Sequence, residues 1–186
     1  MTEREDRRPE SRRQAEAALS RLSHEERAAL LVKCWMSHDA RWFMAVAQAF
    51  GIEAANRLNQ VAAHEEGKVE ARRVARALAL PPVATLDDFL AAQEAIIGVL
   101  GPDLIDYRVV PVGDDAYELR IRRCFAHENV TRAGVADVYE CGIMARATGW
   151  LEGLGVGYEL GPSPGACLKT QGRECVYRFK IPLRAV

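Results

Sequence analysis

No run of this sequence stays apolar for the roughly 18 to 20 residues that cross a bilayer, which argues against a membrane-spanning helix. Charge of one sign is lacking too: 25 Lys and Arg stand against 26 Asp and Glu, a net charge of −1. That balance speaks against a nucleic-acid or other polyanion partner. There is no Cys-x-x-Cys pair, hence no zinc-finger signature, and His64-Glu65-Glu66 lacks the second histidine of a His-Glu-x-x-His zinc helix. Gly153, Gly155 and Gly157 follow a helical pattern and precede a strand, the wrong context for a phosphate-binding loop. No nucleophile elbow or Ser-His-Asp order can be read. The opening MTEREDRRPESRRQ has neither the apolar core of a secretory signal nor the Ser-rich bias of a transit peptide. The expectation is a cytoplasmic protein whose five cysteines serve as thiols or metal ligands rather than as disulfides.

What the sequence does contain is helical for its first hundred residues. Residues 1–12 alternate acid and base without apolar period, which predicts a flexible charged arm. Ser23 three before Glu26 forms a capping box for a helix of about seven turns that closes at Gly51. A second helix runs through Ile52, Ala55, Leu58, Val61, Val69 and Val74 to Pro81-Pro82, and a third lies between Thr85 and Gly101. The period then drops to two. LIDYRVVPV and AYELRIRRC flank Gly113-Asp114-Asp115 as a hairpin, a single helix is read over NVTRAGVADVYECGIMARATGWLEGLG, a short strand at VGYEL follows, and a second hairpin closes the chain. The reading is α+β: an N-terminal helical layer over residues 13–102 packed on a small antiparallel sheet region over residues 103–186, the two forming one compact unit.

The second hairpin carries the most specific feature. With Thr170-Gln171-Gly172 as its loop and Gly172 left-handed, Cys167 falls opposite Cys175, and directly opposed residues have Cβ atoms about 4.5 to 5.5 Å apart. Cys175 alternates in register with Tyr177, Phe179 and Ile181, so the pair belongs to the inward face. Cys141 lies in the helix that should cover the sheet, and Cys124 ends the strand before it. Thiolates converging from such elements suit tetrahedral zinc, while buried thiols also serve as small core hydrophobes. Parity places Cys124 on the outer face unless the strand bulges at Arg122-Arg123 or has already ended; His127 is its substitute. Cys34, beside Trp35, reads as a core residue.

Those cysteines also carry a resemblance. The segment from about Asp103 to Ile181, with CLKTQGRECVYRF in its last hairpin, resembles the 4-vinyl reductase type of small-molecule-binding domain. Related phenol-sensing domains hold a structural zinc through a helix cysteine, a hairpin cysteine 26 positions later and a third eight beyond. Cys141, Cys167 and Cys175 have that spacing. The glutamate ligand of those sensors is replaced by Pro164, which leaves Cys124, His127 or water as the fourth ligand. The chain also resembles, through WMSHDARWFMAVAQAFGIEAANRLN and CFAHENVTRAGVADVYECG, an uncharacterised prokaryotic family grouped with L-2-amino-thiazoline-4-carboxylic acid hydrolases.

On the first long helix, Trp35, His38 and Trp42 form one stripe, flanked by Asp39 and Arg41. The stripe reads either as a buried aromatic side or as the wall of a small-ligand pocket. Three functions follow as expectations. The first is a small-molecule-binding domain with a cysteine-bound zinc, the ligand held by Trp35, His38, Asp39 and Trp42. The second is a metal-assisted hydrolase with His38 or Asp39 as base, and the third is an iron-sulfur protein. The resemblance to the sensor domains, which pair through their helices, implies a homodimer.

Overall fold

Capping residues set the element boundaries of the first half of the chain. The computed structural model describes residues 8–182. Helix α1 spans Arg8–Leu19, with Pro9 in its first turn, where no helical hydrogen bond is lost, and Glu10 near its positive end. Residues 8–12, expected in a flexible arm, are therefore helical, and residues 1–7 lie outside the described residues. Helix α2, His24–Phe50, begins as the capping box requires: Ser23 N–H donates to Glu26 Oε2 at 2.7 Å and Glu26 N–H to Ser23 Oγ at 3.1 Å. It stops at Gly51, whose φ of 88° favours glycine. Helix α3 is Ile52–Ala77, and helix α4, Leu86–Leu100, carries a second capping box between Thr85 and Asp88.

The chain divides into two compact units, 1–41 and 42–186. In the first, Arg27 donates to the Leu19 carbonyl at 2.5 Å, and no residue of α1 is buried. The second holds the sheet and its core. Strands β1 (Ile105–Gly113) and β2 (Ala116–Cys124) form the expected hairpin; β3 is Glu159–Gly161 and β4 is Cys175–Lys180. The sheet order is β1-β2-β4-β3, every pair antiparallel. The architecture is α+β. Inward residues meet in register, Leu119 with Tyr177 and Tyr117 with Phe179, the last two rings stacked at 5.1 Å.

Two expectations fail here, each for a visible reason. The single helix read over residues 129–155 is broken into α5 (Phe125–Arg132), a 3-10 turn at Ala136–Val138, and α6 (Gly142–Gly153). Gly134, at φ 73°, ends α5. The Asn56 side chain then claims the next backbone groups, donating to Val138 O at 2.7 Å and accepting from Glu140 N–H at 3.1 Å. The second hairpin is not one either. Gly172 is left-handed as expected, at φ 68°, but Leu168–Gln171 is a 3-10 turn and β4 pairs with β2 and β3. Cys167 N–H bonds instead to Tyr139 O at 3.2 Å, so Cys175 stands opposite Ile121 rather than Cys167.

Helix α6 reaches the core through glycines. A methyl at Gly149 would overlap the His64 carbonyl of α3, one at Gly67 would overlap the Arg146 carbonyl, and one at Gly153 would lie 2.7 Å from Lys68 O. This backbone contact is reinforced by Glu70, buried in α3, which accepts from the Arg146 guanidinium through both oxygens and from Trp150 Nε1 at 3.0 Å. His64 is half-buried and points at α6, within 3.2 Å of Ala145 O and Thr148 Oγ1. Gly149→Ala should destabilise the fold by about 1–3 kcal/mol through overpacking. Gly98→Ala, in an exposed turn of α4 with nothing within 4 Å, should stabilise it by about 0.5–1 kcal/mol. Chemical denaturation of the two variants checks the pair; similar midpoints would contradict the packing.

Candidate functional site

Four of the five cysteines are brought to one place by four different elements. Cys124 closes β2 and caps α5, Cys141 caps α6, Cys167 precedes the 3-10 turn, and Cys175 opens β4. Cys124, Cys141 and Cys167 are buried and Cys175 is half-buried. Their proximity shows in their electrostatics. Burial pushes the Cys141 thiol up to about 11, and the neighbouring Cys124 and Cys167 add to the rise. Cys175 is pushed up to about 12 by burial and then by the charges of the other three. Cys124 is raised by burial and by Cys167.

Opposing groups are built into the same place. Two helix N-termini face the sulfurs: the Ala126 and His127 amides point at Cys124, and the Ile143 and Met144 amides at Cys141, each favouring a thiolate. Lys169, whose Nζ donates to Arg122 O at 2.7 Å, adds a cation beside Cys124 and Cys175. His127 Nδ1 lies 3.9 Å from Cys167 Sγ.

The position of Cys124 turns on the conditional bulge. Asp106 pairs with Arg123 and Tyr107 with Ile121, so Arg122 is the extra residue of β2. One skipped residue reverses the parity and sends Cys124 inward. Cys141 arrives not as one residue along a helix face but as an N-cap, its own N–H donating to Gly165 O at 2.7 Å. Cys34 corrects its expectation: it is exposed on α2.

In type, this donor set fits a soft ion such as zinc, since sulfur and imidazole are its preferred ligands. As they stand, no three His, Cys, Asp or Glu side chains among the described residues surround a single point closely enough to hold a metal. Binding would require the cysteines to turn about Cα–Cβ.

The first-helix stripe is placed differently. In the first unit Trp35 is half-buried, and His38 and Asp39 are exposed, their side chains 3.8 Å apart. Trp42, in the second unit, is 67% exposed. None of the four lines the cavities beside the sheet.

One of those cavities contains a residue that the sequence reading passed over. Between α4, the inner face of β1 and β2, and α6 lies a space of about 30 Å³, walled by Ile97, Ile105, Leu119, Met144 and Trp150 among others. Gln93 projects into it, 3% exposed. Its Oε1 accepts from Tyr117 O–H at 3.2 Å, while Nε2 is buried without a partner. An unmet buried amide costs about 1–3 kcal/mol. The available signal was a glutamine on an apolar face of α4, four positions from Phe89 and from Ile97. Outside the cavity a groove of about 480 Å³ shares Ile97, Ile105 and Tyr107 with it, and Tyr107 O–H donates to Glu94 Oε1 across the mouth at 2.5 Å.

A family model for DUF6125, a family of unknown function, matches residues 20–145. The chain belongs to this family. The matched segment contains Gln93, Cys124 and Cys141 and ends before Cys167 and Cys175. No curated protein matches the sequence.

Burial divides the thiols into two groups. Iodoacetamide should modify Cys34 in the folded DUF6125 protein, and the buried Cys124, Cys141 and Cys167 only after denaturation. Peptide mass spectrometry checks this; early labelling of Cys124, Cys141 or Cys167 would contradict the burial.

Proposed function

We propose that this DUF6125 protein is a cytoplasmic small-molecule-binding domain in which a zinc ion, held by Cys124, Cys141, Cys167 and Cys175, ties β4 to α5 and α6. The observation that carries the metal is the convergence of four thiols from four elements on two helix N-termini. Four neutral thiols bury little apolar surface, whereas four thiolates on one ion would link segments distant in sequence. His127 stands beside Cys167 as the alternative fourth donor. The resemblance to the 4-vinyl reductase type of domain supports the same reading through the spacing of Cys141, Cys167 and Cys175. No helix among the described residues is long and apolar enough to cross a membrane, which is compatible with the cytoplasm.

When bound, the ion supplies charge and cross-linking rather than a reaction centre, because four sulfurs leave no open position. The chain's own part is to bury the thiols and aim the Ala126, His127, Ile143 and Met144 amides at them. Serine at any one of the four cysteines should lower bound metal and the melting temperature together, since metal binding energy is also folding energy. Cys34→Ser should change neither. Elemental analysis of protein purified without oxygen checks both points: unchanged metal in all four variants would refute the site, and a coloured, iron-containing protein would replace zinc by an iron-sulfur centre.

The same reading makes the chain a homodimer. Light scattering should give twice the 20.6 kDa of one chain, and a mass of one chain at every concentration would reject the pairing.

A further inference from the structure

We propose that the cavity over Gln93 is the ligand site, and that it takes a small uncharged molecule with an apolar body and one hydrogen-bond-accepting oxygen, such as a ketone, entering past Tyr107. This rests on the small-molecule reading above and names the site and the ligand chemistry. The oxygen follows from the hydrogen-bond arrangement. Tyr117 O–H has no other hydrogen-bond partner among the described residues, so its proton goes to Gln93 Oε1. Exchanging the amide's oxygen and nitrogen would strand both that proton and the amide oxygen, two unmet groups in place of one. The amide therefore presents N–H to the cavity, and its missing partner is an acceptor.

The absence of charge follows from the walls. Ile97, Ile105, Leu119, Met144 and Trp150 are uncharged, and Trp150 Nε1 is already committed to Glu70. A carboxylate or ammonium entering here would be desolvated without a counter-ion.

Entry follows from the mouth. The space of about 30 Å³ holds no more than water, and it shares Ile97, Ile105 and Tyr107 with the groove of about 480 Å³. Of these, Tyr107 is held at its tip by a single bond to the exposed Glu94 carboxylate of α4. It stands on an edge strand, next to the register shift after Asp106, where the ladder is already interrupted. Rotation of this side chain joins the two spaces and leads a ligand's oxygen to Gln93.

The test compares cyclohexanone with methylenecyclohexane, the same shape with a methylene in place of the oxygen, by calorimetry on the metal-loaded full chain. The wild type should bind the ketone about tenfold more tightly. Gln93→Leu should abolish that preference; because it also strands the buried Tyr117 hydroxyl, stability is read in Gln93→Leu/Tyr117→Phe, which should melt above the ligand-free wild type since the unmet amide and its hydroxyl partner are both gone. Tyr107→Phe should keep the preference and associate faster. A preference that survives in Gln93→Leu, or equal wild-type binding of both probes, overturns this site while leaving a small-molecule domain standing. Binding of neither probe, with a lower melting temperature in Gln93→Leu/Tyr117→Phe, would mean that the amide holds a buried water only, and also overturns it. Loss of the metal result in the cysteine variants would sink the zinc reading and leave the probe comparison intact.

Discussion

The contact on which the rest of the second unit depends is the approach of α3 to α6, backbone against backbone. Side chains on two packed helices ordinarily hold the axes 8–10 Å apart. Here Gly67, Gly149 and Gly153 remove them, so carbonyls of one helix lie where Cβ atoms of the other would be. Two further features follow from that closeness. Glu70 is buried among α6 groups and needs both Arg146 and Trp150 to satisfy it. The N-terminus of α6 is held near Asn59, whose Nδ2 lies 2.6 Å from where a Gly142 Cβ would be, and this fixes Cys141 at the edge of the core.

The same contact explains what could and could not be read from the residues. The capping box at Ser23, the cap at Thr85 and the Gly113-Asp114-Asp115 turn are local chemistry, and each appears where its spacing puts it, while α3 ends at Ala77, short of the Pro81-Pro82 stop. The buried face of α3 was not legible by hydrophobic period. Of the residues its period picks out, Ala55 and Val74 are buried but Leu58 and Val61 are exposed, while Asn56, Gly67 and Glu70 are buried, because a helix that packs largely by glycine and by paired polar groups shows only part of an apolar stripe. The break between α5 and α6 has one local cause, Gly134, and one that escaped for a related reason, Asn56, which claims the backbone at Val138 and Glu140 from 82 residues before Val138. The inward face of β4 was legible, period two being a property of the strand itself.

The candidate site mixes both kinds of information. That Cys124, Cys141, Cys167 and Cys175 belong together could be argued from the chain, but how they meet could not: the opposed hairpin pair became a 3-10 turn beside a strand, and the helix-face cysteine became a cap. The bulge at Arg122 is the hinge between the two accounts, a single skipped residue that decides whether one sulfur faces water or the other three. Gln93 was not singled out because one polar residue on an apolar helix face is ordinary until its nitrogen is seen to lack a partner.

The strand order has a consequence for how such a chain comes to be assembled. β4 follows every other strand in the sequence, yet it lies in the interior of the sheet, between β2 and β3. During synthesis the β1–β2 hairpin emerges with one long edge open, and β3 has no neighbour at all. Both wait for residues 175–180. An open strand edge invites pairing with other chains, so the interval before β4 docks is the one in which aggregation competes with folding. The outer face of that edge is charged, with Glu118, Arg120 and Arg122 on β2, and such side chains discourage two nascent copies from joining before the proper strand arrives.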